Sequence, residues 1–315
     1  MRWRRSWRQI GNPASHDTGR PVYPSRGWRE GYTMERVATG YGLIEGPVWD
    51  PRRGLYFSDV INGGVFLLDR AGTVLPVVPK RRGIGGMALH DSGGIIVGGR
   101  DIACVSLKDG TTRSLLALDA IPGATGFNDL TTDQAGRIYV GSLAFKVFGG
   151  ETPRPGHLHV IETDGSMRTL SDGVLLTNGL GFSPDGKKLY HCDARGPYVR
   201  VYDVKADGSV GPWRKFAALG DDKVPDGLKV AEDGSVWVAD AHGGRVAVFN
   251  ADGTHRTDIA VPLPMVTSLC FAGDDMRDLY IVTGSRGGPH DNCGSIFRMR
   301  TDVAGLALPP ARVAL

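Results

Sequence analysis

The feature that most constrains the fold is a turn-and-strand unit that recurs six times along the chain. Each copy has a turn followed by a short strand rich in aromatic and β-branched residues. The strands read GLYFSD, GIIVGG, RIYVGS, KLYHCD, SVWVAD and DLYIVT, with their first apolar residues at Leu55, Ile95, Ile138, Leu189, Val236 and Leu279. These residues are 40, 43, 51, 47 and 43 positions apart. Most copies continue into another alternating strand, such as GRVAVFN, and a further turn.

Four short strands joined by tight turns, repeated about every 45 residues, are typical of a β-propeller. Six copies predict six four-stranded blades around a central channel. No stretch shows sustained helical periodicity with caps, so the predicted class is all-β. A propeller must also close its ring. Either MERVATG, residues 34–40, or PPARVAL, residues 309–315, could supply the strand that completes the last blade and covers its edge.

The first 33 residues differ in charge from the remainder. They hold seven Arg against Asp17 and Glu30, a charge of +5, whereas the whole 315-residue chain carries +3. Residues 34–315 therefore carry a net charge of −2. No basic face that would bind a nucleic acid is predicted for them. We expect residues 1–33 to be a basic, disordered extension and residues 34–315 to form the propeller.

Nothing in the sequence indicates export or a membrane partner. The extension lacks the apolar region of a secretory signal, and no apolar run is long enough to span a membrane. The four cysteines, at positions 104, 192, 270 and 293, form no C-x-x-C motif, so reduced thiols are expected rather than disulfides or a zinc–cysteine site. A cytoplasmic protein, monomeric or a small homo-oligomer, is expected.

Polar residues recur at one position of the repeat, where the chain enters the first strand of each blade. Four residues before the residue that ends this strand, the copies carry Glu45, Gly85, Asn128, Asn178, Asp226 and Thr267. The innermost strands of a propeller line its channel, so equivalent positions should face one another around the axis. This explains why Asn178, a poor strand residue, precedes an apolar run.

Two carboxylates and two amide oxygens in such a ring would form an all-oxygen donor set with a charge of −2, a set that hard divalent cations prefer. Ca²⁺ is the first expectation, with Mg²⁺, Mn²⁺ or Zn²⁺ as alternatives. Without a cation the two carboxylates would repel each other and raise a pKa. The competing interpretation is that these side chains form local Asx-type turns beside Gly46, Gly179 and Gly227.

Five segments together resemble one known family. They are LIEGPVWDPRRGLYFSD, GFNDLTTDQAGRIYVGS, TNGLGFSPDGKKLY, PDGLKVAEDGSVWVADAHGGRV and PMVTSLCFAGDDMRDLYIVTGS, in this order along the chain. The family is that of SMP-30, gluconolactonase and luciferin-regenerating enzyme. The resemblance implies a six-bladed propeller that hydrolyses lactones with one divalent metal in the channel. It implies Glu45, Asn178 and Asp226 as metal ligands, Asn128 as a substrate contact or a fourth ligand, and Asp129 as its neighbour in the substrate site.

One departure from the family bears on the substrate. Members that act on sugar lactones often have an Arg two residues before the channel asparagine, where this chain has Gly126. Such an Arg would bind substrate hydroxyls. Its absence leaves a smaller or less polar lactone as an alternative to a sugar lactone.

The connections that follow the second strands should surround the entrance to the channel. They carry Arg100, Asp193, Asp240, His242 and Ser285. The long connection 144–157 coincides with the widest repeat spacing and is predicted to form a lid, with a solvated loop as the alternative. Lys146 and Glu151 on the lid, and His242, are predicted to contact the substrate. The recurrence of Asp59, Asp193 and Asp240 also suggests hydrogen bonds between blades.

The sequence therefore predicts a metal-dependent lactonase whose partner is a small-molecule lactone. Asp226, as general base, or the cation itself would activate a water molecule, and the residues do not distinguish these routes. Two alternatives stay open. The same site would support hydrolysis of an organophosphate triester, and the fold alone is compatible with a non-catalytic propeller that binds a small ligand.

Overall fold

The computed structural model describes residues 22–24 and 33–315. Two strands, β1 (Val22–Pro24) and β2 (Thr33–Tyr41), precede the first complete sheet. Blade 1 contains β3 (Ile44–Asp50), β4 (Gly54–Asp59), β5 (Val65–Asp69) and β6 (Val74–Val78). Blade 2 contains β7 (Met87–Leu89), β8 (Ile95–Val97), β9 (Ile102–Val105) and β10 (Thr112–Leu116). Blade 3 contains β11 (Gly126–Thr132), β12 (Ile138–Leu143), β13 (Gly156–Ile161) and β14 (Met167–Val174).

The remaining blades follow the same plan. Blade 4 contains β15 (Thr177–Phe182), β16 (Lys188–Asp193), β17 (Tyr198–Asp203) and β18 (Arg214–Ala218). Blade 5 contains β19 (Pro225–Val230), β20 (Val236–Asp240), β21 (Arg245–Phe249) and β22 (His255–Ala260). Blade 6 contains β23 (Val266–Ala272), β24 (Asp278–Thr283) and β25 (Gly294–Arg300).

Every blade is an antiparallel sheet, and the first strand of each blade contacts the first strand of the next around a closed ring. The predicted all-β, six-bladed propeller is therefore confirmed. In the described part of the chain the only helical segment is the 3₁₀ turn Leu118–Ala120, and no helix there has the length and apolar character to cross a membrane.

Aromatic residues join neighbouring blades at equivalent positions. Trp237 on β20 meets Phe271 on β23 edge to face, with ring centroids 5.1 Å apart. Tyr139 on β12 meets Phe182 on β15 in the same way at 4.9 Å. Such pairs contribute about 0.5–1.5 kcal/mol each beyond the apolar area they bury. The recurring aromatic of the repeat therefore packs one blade on the next.

The ring closes through the N-terminal strand. β2 pairs antiparallel with β25, so the segment MERVATG completes blade 6. Met34 on β2 is 1% exposed and packs in the core shared by blades 5 and 6. β1 adds a fifth strand outside β2. The sheet thus includes Thr33 and residues 22–24, which lie before the predicted boundary, and the rest of the predicted extension lies outside the described residues.

The C-terminal segment, the other candidate for closure, lies across the far end of the channel instead. Gly305 forms a bridge with Ala231, just after β19. Thr132, at the end of β11, donates from Oγ1 to the carbonyl oxygen of Pro309 at 2.5 Å, and Ala311 pairs with the residue after β7. The segment therefore contacts the ends of the inner strands, opposite the end where the ring of polar residues lies.

Candidate active site

Four of the six predicted ring residues line one cleft at the entry end of the channel. Glu45, Asn128, Asn178 and Asp226 border a cavity of about 800 Å³. Gly85 also borders it and contributes only backbone. Thr267 does not line the cavity, because its hydroxyl donates to the carbonyl oxygen of Ile44 at 2.6 Å and joins blade 6 to blade 1. The structure therefore brings together the four residues whose side-chain oxygens suit a cation.

The local backbone explains how these side chains reach the channel. In the first strands of blades 1, 3, 4 and 5, the pairing with the second strand shifts register at the ring residue. The shift comes directly after Glu45 in blade 1 and spans Asn128, Asn178 and Asp226 in blades 3, 4 and 5. Bulges of this kind re-aim a side chain. The glycine that follows allows the next inner strand to approach closely: a Cβ on Gly179 would lie 2.2 Å from the amide nitrogen of Leu228, and one on Gly227 would lie 2.1 Å from Ser268 Oγ.

Amide hydrogen bonds connect the ring from blade 3 to blade 5. Asn128 Nδ2 donates to the carbonyl oxygen of Thr177 at 2.7 Å and also to Oδ1 of Asn178. Asn178 Nδ2 donates to the carbonyl oxygen of Pro225 at 3.4 Å. These bonds run between blades rather than within one turn. For both asparagines the structure supports a shared site over the alternative of local Asx-type turns.

The charges around the ring do not balance within the protein. Glu45, Asp129 and Asp226 are all buried, at 9%, 7% and 9% exposure. Lys229 lines the opposite end of the channel. Its positive charge acts on Glu45 and Asp129 and favours their ionised forms. Three carboxylates and one ammonium leave a charge of −2 in a buried volume. One divalent cation would neutralise it.

The pKa values of the carboxyl groups express the same imbalance. Burial, followed by the charges of Asp226 and Asp129, raises the pKa of Glu45 well above its ordinary value. Burial and the charge of Asp129 raise the pKa of Asp226 in the same direction. Within the described ranges no group of three or more His, Cys, Asp or Glu could hold a metal ion. The candidate site therefore depends on amide oxygens as well as carboxylates, and this donor set fits a hard cation.

Two of the residues predicted to bind substrate lie away from the cavity wall. Asp129, within the bulge of β11, is buried and accepts a hydrogen bond from the amide of Leu130 at 2.9 Å. Glu151 folds back on its own connection, where its carboxylate accepts from the amide of Lys146 at 3.2 Å and lies 3.7 Å from Arg154. Neither is among the residues that line the cavity, whereas Lys146 and His242 are.

The expectation that Asp193 and Asp240 surround the entrance is wrong. Both are fully buried. Asp193 accepts from the amides of Leu175 and Leu176, and Asp240 accepts from that of Val224. Asp59 does the same for the amide of Gly42. Each of these aspartates thus fixes the connection that leads into its own blade. The backbone amides of that connection have no partner on a neighbouring strand, and the buried carboxylate accepts their hydrogen bonds. Ser285 likewise donates to the carbonyl oxygen of Tyr41 rather than lining the cavity.

The predicted lid, residues 144–157, contains the connection 144–155 between β12 and β13 and the first two residues of β13. Lys146, Val147, Phe148 and Gly149 border the cavity. Phe148 is 68% exposed, and the guanidinium carbon of Arg286 lies 5.8 Å from its ring centroid. Arg286 follows β24 in blade 6, which is opposite blade 3 in a six-bladed ring. The connection therefore extends across the mouth of the cleft.

Sequence reasoning missed Arg82, Arg195 and Arg286, which also line the cavity. Arg195 and Arg286 come two and three residues after the second strands of their blades. Arg100 and His242 were predicted from the same kind of connection, so a position shortly after a second strand could also have indicated Arg195 and Arg286. Arg82 precedes an inner strand, where no comparable signal exists.

Comparisons with known proteins cover most of the chain. A family model described as SMP-30/Gluconolactonase/LRE-like region matches residues 43–285, a region that includes all four ring residues. The pentonolactonase XacC of Haloferax volcanii is 31% identical over 295 residues, which cover 89% of this chain and 98% of that protein. The 6-deoxy-6-sulfogluconolactonase of Pseudomonas putida is 29% identical over 278 residues, 85% and 94% of the two chains. Among solved structures, regucalcin of Agrobacterium tumefaciens, a calcium-binding protein, matches with a TM-score of 0.79 at 21% identity, over 92% and 99% of the chains.

Proposed function

Since the chain belongs to the SMP-30/gluconolactonase/LRE-like family, we propose that it is a lactonase that holds one divalent cation between Glu45, Asn178 and Asp226. Relatives that are lactonases by name, at about 30% identity, support lactone hydrolysis. The observation that carries the proposal is the convergence of two buried carboxylates and two amides at the inner end of one cavity, where the negative charge of the ring is left uncompensated. The similarity to a calcium-binding protein supports Ca²⁺ as the cation.

Hydrolysis of a lactone requires one water molecule and no other reactant. The water oxygen bonds to the carbonyl carbon, the ring C–O bond breaks, and the freed ring oxygen takes up a proton to give a hydroxy acid. A bound divalent cation would supply a Lewis acid that withdraws electron density from the lactone carbonyl. Asp226, whose carboxylate borders the same cavity, accepts the proton that the attacking water loses.

The other ring residues position the reactants. Asn128 faces the same cavity, so its amide can contact the lactone or supply a fourth oxygen for the cation. Its hydrogen bonds to Thr177 and Asn178 limit its rotation. The lid narrows the mouth and reduces access of bulk water. A cavity of about 800 Å³ is large enough for a small lactone, since ligand sites usually measure roughly 300–1,000 Å³.

A panel of sugar and aliphatic lactones, assayed before and after removal of metal with EDTA, tests the proposal. Hydrolysis should be lost on chelation and should return with Ca²⁺ or another divalent cation. The melting temperature should fall and recover in parallel, because a cation bound only by the folded state adds roughly 2.7 kcal/mol at a hundredfold excess over its Kd. Hydrolysis that survives chelation, in protein free of metal by elemental analysis, would contradict the metal site. Absence of hydrolysis for the whole panel would contradict lactonase activity.

A further inference from the structure

The mouth of the candidate active-site cleft carries a pronounced positive charge. Five cationic side chains line it, Arg82, Arg100, Lys146, Arg195 and Arg286, and all five are exposed. The carboxylates that line the same cavity are Glu45 and Asp226, and both are buried deep in it. Five positive and two negative side chains give the cleft a charge of +3, and a bound divalent cation would make it +5.

These five residues, the cationic rim, are brought together by the fold and not by one charged segment. Arg100, Lys146, Arg195 and Arg286 follow the second strands of blades 2, 3, 4 and 6, and Arg82 precedes the inner strand of blade 2. Each blade brings the corresponding connection to the same end of the propeller. The rim therefore surrounds the opening from several directions.

The rim residues are also distinguished by their ion pairing. In the described part of the chain none of the five forms an ion pair with a carboxylate. Arg81, beside a rim residue in sequence, shows the contrast. It does not line the cleft and pairs with Asp101 at 2.5 Å. Arg286 lies over the ring of Phe148 at the mouth, an aromatic rather than a carboxylate neighbour.

We propose that the substrate of the lactonase carries a negative charge of its own, as a carboxylate, sulfonate or phosphate substituent on the lactone. A neutral lactone gains nothing from five unpaired cations, whose mutual repulsion costs free energy. An anionic substituent would be drawn into the cleft and held by planar guanidinium groups that match its oxygens. The carboxylate that hydrolysis creates forms at the carbonyl carbon, beside the buried ring residues, so product formation alone does not call for an exposed rim. This inference rests on the proposed lactonase function.

A matched pair of lactones provides the first test. D-glucono-1,4-lactone and D-glucaro-1,4-lactone differ only at C6, which is a neutral hydroxymethyl group in the first and a carboxylate in the second. The value of kcat/KM should be about tenfold or more higher for the anionic lactone, since charge focusing raises association by about 10–10³-fold. It should fall as NaCl is raised, because exposed charges are screened, while kcat/KM for the neutral lactone should change little.

Variants of the rim provide the second test. Arg195→Gln and Arg286→Gln should each lower kcat/KM for the anionic lactone by about two- to fivefold, as is usual for exposed charge pairs, and more when combined. The loss should be larger for the anionic lactone than for the neutral one, so the ratio of their kcat/KM values should fall. Arg113→Gln is the matched control, since Arg113 is exposed on β10 and does not line the cleft.

A binding measurement separates this inference from the lactonase proposal. By calorimetry, D-glucarate, with two carboxylates, should bind more tightly than D-gluconate, with one, and the difference should shrink in the double Arg variant. Equal turnover of both lactones, unaffected by the variants, would overturn the anionic substrate and leave the lactonase function intact. If neither lactone is hydrolysed but D-glucarate still binds in an Arg-dependent manner, the anion preference stands and the lactonase function fails. If neither lactone is hydrolysed and D-glucarate binds no more tightly than D-gluconate, both proposals are overturned.

Discussion

Replacing Gly85 by alanine tests the role of Asn128 without changing a single polar atom of the site. A Cβ on Gly85 would lie 2.1 Å from Asn128 Oδ1 and 3.1 Å from its Cγ. Gly85 is not among the positive-φ glycines, so its backbone accepts alanine and the collision alone disturbs the structure. The asparagine amide must rotate, and it then loses its hydrogen bonds to the Thr177 carbonyl and to Asn178.

The size of the effect follows from those two bonds. At about 0.5–1.5 kcal/mol for each hydrogen bond, Gly85→Ala should destabilise the protein by roughly 1–3 kcal/mol. A displaced amide at a reacting centre should lower kcat/KM by roughly 10- to 100-fold, since a shift of about 1 Å can cost that much. Calorimetric melting and steady-state kinetics on an active lactone measure the two quantities. Gly211→Ala is the control, because a Cβ there meets nothing closer than the Asp203 carbonyl oxygen at 3.7 Å.

A double-mutant cycle decides whether the reasoning holds. In an Asn128→Ala background the obstructing oxygen is gone, so Gly85→Ala should add little further loss of activity or stability. Additive losses would show that Gly85→Ala acts elsewhere. Normal turnover in the Gly85→Ala single variant would show that the position of the Asn128 amide does not matter to catalysis.

Three further predictions concern charge and protonation. Lys229→Met removes the ammonium that offsets Glu45 and Asp129, so calorimetry should show a divalent cation bound on the order of tenfold more tightly, and unchanged affinity would contradict the charge balance. Asp226→Asn should lose nearly all turnover and much of its metal affinity, whereas Asn128→Ala should keep metal and lose mainly kcat/KM. Equal loss of metal in both would make Asn128 a full ligand. Burial, and then the neighbouring His157, lowers the pKa of His159 to about 4. The folded state therefore binds a proton at His159 less readily than the unfolded state does. Above pH about 6.5 the free energy of unfolding is at its full value, and it should fall by roughly 1.4 kcal/mol per pH unit as the pH decreases towards the pKa of the folded state. His159→Gln should flatten urea-unfolding free energies across that pH range, and an unchanged slope would contradict the shifted pKa.

The repeat made most of the fold and the centre of the site predictable. A propeller blade imposes the same strand order on every copy, so aligning the copies also aligned the inner strands. Glu45, Asn128, Asn178 and Asp226 were placed on one cavity wall by that alignment alone. The alignment did not show the β-bulge at each of these ring residues. Asp129, the neighbour of Asn128, was therefore assigned to the substrate site as well, although only Asn128 lines the cavity.

The connections were less predictable because they differ in length and have no common register. Glu151 bonds to the backbone of its own loop, and no pattern in the loop sequence indicates that. Asp193 and Asp240 were assigned to the entrance from their position after a strand, but buried backbone amides needed their carboxylates. The cationic rim depends on residues from four blades meeting at one opening, which only the assembled ring reveals.

Closure through β2 has a consequence for how the protein is made. The partner of Glu35 on β2 is Arg298 on β25, 263 residues later in the chain. At about 5–20 residues per second, the ribosome releases β25 on the order of 10–50 s after β2. During that interval β2 can pair with β1 on one side only, and its other edge waits for β25, while blades 1 to 5 can form in order behind it. The last blade thus joins the earliest strand to the latest, and a nascent chain gains its full resistance to unfolding in one late step.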